Sequence, residues 1–329
     1  MSNITFIGTG AFASALATTL SLNNHKILMW GIDKKEVEDI NNGVNSKYFS
    51  NINFNNKNNI RATLDLQEAL LNTEYLIIAI PSSAIKSVSL MIREIIKERK
   101  INIINVSKGI DKETKKFFSE VFYSYFGKNI NNFCSLIGPS FADEVFENKL
   151  TIVNAVGENI TYLKEISELF SNQYFRVVAN DNKGLELFAA LKNILAIGMG
   201  ISSKIYPGKN PQAALLTIGI NDINEIYKSM FPNVNENSIL SFCGFGDIVL
   251  TCLNDKSRNY SFGASVADLG IKEALLANSK TVEGYFNSKI LLEFLNENSK
   301  IKAPFLRKIV EILNEKTSLE NLLDFIKNY

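Results

Sequence analysis

Four charged residues stand in settings that make their charge conspicuous. Lys192 and the adjacent Asn193 are the strong polar groups in the second half of the nearly apolar segment GLELFAALKNILAIGMG. A lysine there is rarely buried unless it is paired or functional. Desolvation and a second cation such as Lys108 would lower its pKa, and a neutral amine accepts a hydroxyl proton. A lysine snorkelling out of a core helix is the plainer alternative. Asp247 and Thr251 lie four apart in CGFGDIVLTCLNDKSRNYSFG and so share one helical face, where Asp247 can orient an ammonium or accept a substrate hydroxyl. Arg258 and Asn259 come later in the same segment, and a guanidinium fork beside an amide suits a phosphate dianion, although an exposed Arg-Asn pair is also ordinary. Histidine is the usual general base, but the only one, His25, stands at the start of the second strand on the amino-terminal side of the sheet. It is read as structural.

The elements that must position these groups emerge from hydrophobic periodicity. ITFIGTGAFA is a short apolar run that breaks into two glycines and a small residue ahead of a helical pattern. After a buried strand, Gly8 makes the tight turn, Gly10 lets backbone approach a pyrophosphate, and Ala13 keeps the helix close. The helix N-terminus, with Ala11 and Phe12 in its first turn, aims unpaired N–H groups at the anion. A second strand, KILMWG, leads to Asp33, roughly 25 residues beyond Gly8, where a carboxylate accepts hydrogen bonds from an adenosine ribose. Asp33 is otherwise a solvated strand-end carboxylate.

Apolar runs at 4–7, 27–30, 75–80, 101–106 and 133–137 alternate with helical patterns such as 84–98 and 112–125, and runs at 150–155 and 175–179 finish the sheet. A helix near 65–72 carries the entry signal Asp65 with Glu68 three residues on. Strands separated by helices imply parallel pairing with right-handed crossovers. Strand signals stop near residue 182, and 184–204, 211–230, 238–253, 259–278, 284–297, 303–315 and 318–327 read as helices, split by turns such as YPGKNP and FPNVNEN. The expected class is α/β, with a Rossmann-like, doubly wound, mostly parallel sheet in a dinucleotide-binding domain over 1–181. An all-α C-terminal domain carrying substrate and catalytic groups is expected over 182–329. In such a sheet ligands lie beyond the carboxyl ends of the strands, where Gly8, Gly10, Pro81, Ser82, Lys108, Gly109, Gly138, Pro139 and Ser140 fall. Ser140, with Asp143 three residues on, reads as the cap of the helix SFADEVF. The asparagine-rich stretch 41–59 reads as a surface loop without chemistry.

Composition narrows the class. The 329 residues are 46% hydrophobic and 21% charged with a net charge of +1, which describes about two globular domains and disfavours nucleic acid as main partner. No uninterrupted apolar stretch reaches the roughly 18 residues of a membrane span, and Met1 leads straight into the first strand, so a cytoplasmic chain without stable membrane insertion is expected. Cys134, Cys243 and Cys252 lack CxxC spacing and are expected as buried hydrophobes rather than disulfides or zinc ligands; no metal site is expected.

With these residues assembled, the chain resembles the bacterial-type NAD(P)-dependent sn-glycerol-3-phosphate dehydrogenases over essentially its whole length. The resemblance is carried by GTGAFA, MWGID, IIAIPSSAI, NVSKGI, IGPSFADEV, GLELFAALKNILAIGMGI, KNPQAALLTIGINDI, FCGFGDIVLTCLNDKSRNYSFG and TVEGYFNSK, in family order. It implies that glycerol 3-phosphate and dihydroxyacetone phosphate are interconverted by hydride transfer, supplying glycerol 3-phosphate for phospholipid synthesis. Lys192 falls at the proton-transferring lysine, and Lys108 at a lysine touching substrate and nicotinamide. Gly138, Ser140, Asp247, Ser257, Arg258 and Asn259 match substrate-contacting positions. Ala142, Glu283 and again Arg258 match cofactor contacts, and Ala11 and Phe12 occupy the dinucleotide turn. Ala13 stands where many relatives have a third glycine. Ile32 stands where relatives often carry an arginine suited to the 2′-phosphate of NADP, so NAD(H) is the expected preference, with NADP(H) possible through Lys34 and Lys35. A homodimer is implied by the family alone. The rival readings are a β-hydroxyacid dehydrogenase, disfavoured by KSRN and GPSFADEV, and a catalytically silent NAD-binding sensor.

Overall fold

The computed structural model describes residues 1–232, 236–278 and 282–329. Part of the FPNVNEN turn and Thr281, the first residue of the TVEGYFNSK stretch, therefore lie outside the described residues. The chain divides into two compact units, Met1–Asp111 with Lys116–Lys183, and Lys112–Lys115 with Gly184–Tyr329.

The first unit runs β1 (Asn3–Ile7), α1 (Ala11–Leu22), β2 (Lys26–Trp30), α2 (Lys34–Asn41), α3 (Ser46–Phe49), β3 (Ile60–Thr63), α4 (Leu66–Leu70), β4 (Tyr75–Ile78), α5 (Ile85–Ile96), β5 (Ile101–Asn105), α6 (Phe118–Phe126), β6 (Ile130–Ile137), α7 (Ala142–Phe146), β7 (Thr151–Val156), α8 (Ile160–Phe170) and β8 (Phe175–Asn180). Its eight strands lie in the order β3-β2-β1-β4-β5-β6-β7-β8. All neighbours are parallel except β6 and β7, which are antiparallel. Alternation along the strands gives the sheet two apolar faces. Ile4, Phe6, Ile27, Met29 and Ile77 join one core with residues of α1 and α8. Ile7, Trp30, Leu76, Ile78 and Ile103 join another with residues of α4, α5 and α6. Side-chain oxygens of Asp33, Asp65 and Asn159 cap α2, α4 and α8.

The secondary structure of the first unit departs from the sequence expectations at three places, one being α3, inside the stretch 41–59 expected as a loop. β3 is an additional strand: Ile60 and Ala62 are buried while Arg61 between them is exposed, so a four-residue edge strand reads as polar. The pattern at 112–125 becomes helical only at Phe118, because Lys115 takes a positive φ of 56° and Phe117 is extended.

The second unit comprises α9 (Glu186–Ile205), α10 (Lys209–Met230), α11 (Asp247–Cys252), α12 (Arg258–Leu269), α13 (Ile271–Ala277), α14 (Glu283–Glu297) and α15 (Pro304–Leu313). Three expected helices differ in form. The stretch 238–253 divides into a 3-10 turn at Glu236–Leu240, a π turn at Phe242–Gly246 and α11. The stretch 259–278 breaks into α12 and α13 at Gly270, whose φ is +86°. The last, Leu319–Asn328, is 3-10. Helix α9 is the centre of this unit, packed against α10, α11, α12, α14 and α15. Lys183–Ile205 is long and apolar enough by length and composition to cross a membrane, but charged residues interrupt it and its apolar window is wholly buried inside the protein.

A buried carboxylate ties α10 to α15. Asp222 is 2% exposed and accepts a hydrogen bond from the Leu306 N–H at 2.8 Å. Burial pushes its pKa from 3.8 up to about 7, against the lowering effect of backbone N–H groups at Leu306 and Phe305. The folded state therefore holds this proton more tightly than the unfolded state. Stability should fall as pH rises from about 4 through about 7, by at most about 4 kcal/mol. Thermal unfolding of the wild type against Asp222→Asn between pH 5 and 8 should show a midpoint difference that widens with pH; a constant difference would contradict it.

Candidate functional site

In the first unit the predicted residues gather at the carboxyl edge of the sheet. The strand order reverses at β1, between β2 and β4, which opens a crevice beyond their carboxyl ends. Gly8 has a φ of +121°, and a Cβ there would meet the Ala79 carbonyl oxygen at 2.4 Å, so both conformation and space demand glycine. Around Gly10, by contrast, a Cβ would meet nothing within 4 Å. It is the N-cap of α1 without a side-chain cap, so the first N–H groups of a 12-residue helix face open space. Ala13 is buried against the strands, as a small third residue requires. This cradle fits a dinucleotide pyrophosphate.

Asp33 lies just after β2. Its Oδ1 accepts from the N–H groups of Lys35 and Glu36 at 2.9 and 3.3 Å, so part of its acceptor capacity caps α2. Ile32 beside it is 85% exposed. Lys108, after β5, and Ser140, after β6, converge on one atom, the Gly138 carbonyl oxygen, at 2.9 and 3.1 Å. Ser140 does not cap α7, whose N-cap is Phe141 without a side-chain bond: its hydroxyl turns back to Gly138 instead. Ala142 is the half-buried first residue of that helix. His25 is held at the other end of the strands. Its Nδ1 accepts from Ser2 N and its Nε2 faces the Leu169 carbonyl, while burial lowers its pKa, as befits a neutral structural imidazole.

In the second unit Lys192 is buried in the middle of α9. Its Nζ lies 2.7 Å from Asp247 Oδ1 and 2.8 Å from Thr251 Oγ1, with side-chain exposures of 5% for the lysine and 2% for the aspartate. Asp247 opens α11 straight after the π turn, and Thr251 one turn later donates to the same Oδ1 at 3.4 Å. The carboxylate beside the amine favours the ammonium and opposes desolvation, which disfavours it. Cys252, next along α11, is fully buried, which pushes its thiol pKa up and makes it an inert packing group.

A second knot joins the middle of α9 to the first turns of α12 and α14. Asn193 Nδ2 donates to Glu283 Oε2 at 3.0 Å, and Asn259 Oδ1 accepts from Gly284 N at 3.0 Å. A Cβ on Gly284 would meet the Asn193 carbonyl oxygen at 2.4 Å, so α14 can lie this close only with glycine there. Ser257 is buried and caps α12 by accepting from Tyr260 N. Arg258, first residue of α12, is exposed. It follows directly on the capping Ser257, so an exposed guanidinium stands beside a helix N-terminus. The links to Thr251 and Glu283 were not legible as partners of Lys192 and Asn193, because nothing in a linear pattern pairs positions so far apart.

Comparison with known proteins finds matches along almost the whole chain. Residues 3–163 match the family described as NAD-dependent glycerol-3-phosphate dehydrogenase N-terminus, and residues 181–324 match its C-terminus. The chain is 42% identical over 317 residues to the glycerol-3-phosphate dehydrogenase [NAD(P)+] of Malacoplasma penetrans, covering 95% of this chain and 92% of the relative. It is 38% identical over 329 residues to that of Mesoplasma florum, covering 98% and 96%. The crystal structure of glycerol-3-phosphate dehydrogenase from Coxiella burnetii is similar with a TM-score of 0.86 at 29% identity, over 100% of this chain and 99% of that one.

The Lys192 pair has a stability signature of its own. Asp247→Asn leaves a buried ammonium without its counter-charge and should cost about 3–5 kcal/mol in denaturant unfolding. Lys192→Met combined with Asp247→Leu should recover most of that loss; a single variant as stable as wild type would mean the pair is not buried in solution.

Proposed function

The chain belongs to the NAD-dependent glycerol-3-phosphate dehydrogenase family, and from that premise we propose that it interconverts sn-glycerol 3-phosphate and dihydroxyacetone phosphate in exchange with NAD(P), supplying glycerol 3-phosphate for phospholipid synthesis. The observation that carries the reading is the buried Lys192–Asp247–Thr251 cluster, since a hydroxyl–carbonyl interconversion needs a group that moves a proton at the reacting oxygen. The dinucleotide, when bound, takes up or gives the hydride.

Each group then has a part that its surroundings support. In ketone reduction the Lys192 ammonium, kept charged by Asp247, donates its proton to the developing alkoxide. In the alcohol-to-ketone direction the same nitrogen, as the neutral amine left by that donation, accepts the C2 hydroxyl proton. Lys108 adds positive charge near the reacting oxygen, where it favours the transition state over the ground state. Ser257, Arg258 and Asn259, with nearby helix-end amides, hold the phosphate, and Gly138 and Ser140 complete the substrate contacts. Gly8, Gly10, Ala11, Phe12 and Asp33 bind the dinucleotide, with Ala142, Arg258 and Glu283 as further contacts. Residues 1–181 thus serve dinucleotide binding and 182–329 serve substrate and catalysis. Ile32 and Asp33 favour NAD(H) over NADP(H), because an apolar and an acidic side chain offer nothing to a 2′-phosphate. The enzyme works in the cytoplasm as a homodimer, without inserting in a membrane.

Lys192→Ala should lower turnover by a few powers of ten while dinucleotide affinity, measured by titration, stays near wild type. Near-normal turnover would remove Lys192 from the proton-transfer role. An assay of NADH and NADPH, each with dihydroxyacetone phosphate and with a β-keto acid, should show oxidation only with the phosphorylated ketone; activity confined to the β-keto acid would overturn the substrate assignment.

A further inference from the structure

The asparagine-rich stretch 41–59, expected to carry no chemistry, delivers a lysine to the end of β2. Lys47 Nζ is bonded to Glu36 Oε1 and lies 3.7 Å from Asp33 Oδ2. Glu36 is buried, and its other oxygen accepts from Thr9 Oγ1, the residue between the two glycines of the β1–α1 turn. The segment itself is anchored to that turn, since buried Asn45 donates from Nδ2 to the Thr9 carbonyl and to Ser14 Oγ, both at 2.9 Å. Lys47 is therefore held at its root and tip yet keeps 54% of its side chain exposed.

Lys47 is the cation seen against both carboxylates of this corner. Asp33 Oδ1 is taken by the cap of α2, and Oδ2 is the oxygen that faces Lys47. Without Lys47, Asp33 and Glu36 would present two carboxylates where a dinucleotide's adenosine ribose lies in this fold. A 2′-phosphate brought there would meet repulsion on the order of a kT or more per charge. Lys34 is turned to Glu38 at 3.7 Å, and no ion pair of the exposed Lys35 with either carboxylate is seen among the described residues.

We propose that Lys47 is a specificity-determining residue: by neutralising Asp33 and Glu36 it supplies the positive charge that lets the chain accept a 2′-phosphorylated dinucleotide beside the unphosphorylated one. This rests on the reading that the β1–α1 turn holds a dinucleotide. It adds that tolerance of the 2′-phosphate comes from the segment after α2 rather than from the residue directly after β2.

Calorimetric titration of the full chain with NADH and with NADPH tests it without recourse to turnover. Lys47→Gln should raise the Kd for NADPH about tenfold while that for NADH changes less than about threefold, and the salt dependence of NADPH binding should become shallower. Asp33→Asn, which keeps a capping side chain for α2, should shift the NADPH-to-NADH affinity ratio the other way. Equal weakening of both dinucleotides in Lys47→Gln would reduce the lysine to a prop for the turn and overturn the proposal, as would an unchanged NADPH affinity. Should Lys47→Gln fail to fold, an unmoved ratio in Asp33→Asn overturns it alone. A wild-type chain that binds neither nucleotide sinks the dinucleotide reading itself, a result distinct from a wild type that binds both and a variant that discriminates between them no differently.

Discussion

Burying an ammonium in an apolar helix is tolerated only when a counter-charge and further hydrogen-bond partners are buried with it, and α9 is built around that constraint. Lys192 lies among residues such as Leu191, Ile194 and Leu195, all nearly inaccessible to water. The compensation comes from α11, which places Asp247 and Thr251 one turn apart and presents both to the same nitrogen. The π turn at Phe242–Gly246 sets the start of α11, with Ser241 capping it by accepting from Gly244 N. A widened turn of this kind rotates the next helical segment, which is one way that such turns come to lie beside functional groups. The positions of α9 and α11 are thus linked through a charge pair that neither helix can release alone.

The same logic operates on a smaller scale where α12 and α14 meet α9. Asn193, Glu283, Asn259 and the backbone of Gly284 satisfy one another, so helix ends that would otherwise leave buried N–H groups unpaired are stitched together. Asn259 is fixed by this arrangement and Ser257 by its cap to Tyr260 N, while Arg258 between them stays exposed. A rigid pair flanking an exposed guanidinium is the arrangement on which the proposed phosphate grip rests.

In the first unit the controlling feature is the turn after β1. Gly8 fixes its direction, Gly10 leaves it open, and Thr9 between them is drawn into a chain of polar contacts through Glu36 to Lys47, with Asn45 holding the Thr9 carbonyl. Asparagine bias in the surrounding stretch masks these contacts. Phe49 and Phe54 are buried there and stack or edge against Phe146, which turns an apparently featureless loop into a packed part of the domain.

Features written in contiguous residues were legible along the chain: the glycine turn, the alternation of apolar runs with helical periods, the capping aspartate at 65, the lysine isolated in an apolar helix and the family likeness. Packing in three dimensions settled the others. It set Asp247, an anion, as the partner of Lys192, and turned Ser140 to Gly138 rather than to α7. It also paired Glu36 with Lys47, broke 259–278 at Gly270, and recruited IRAT as an edge strand. The physical reason is that electrostatic and hydrogen-bond partners are chosen by distance in space, while a linear pattern records only distance along the chain.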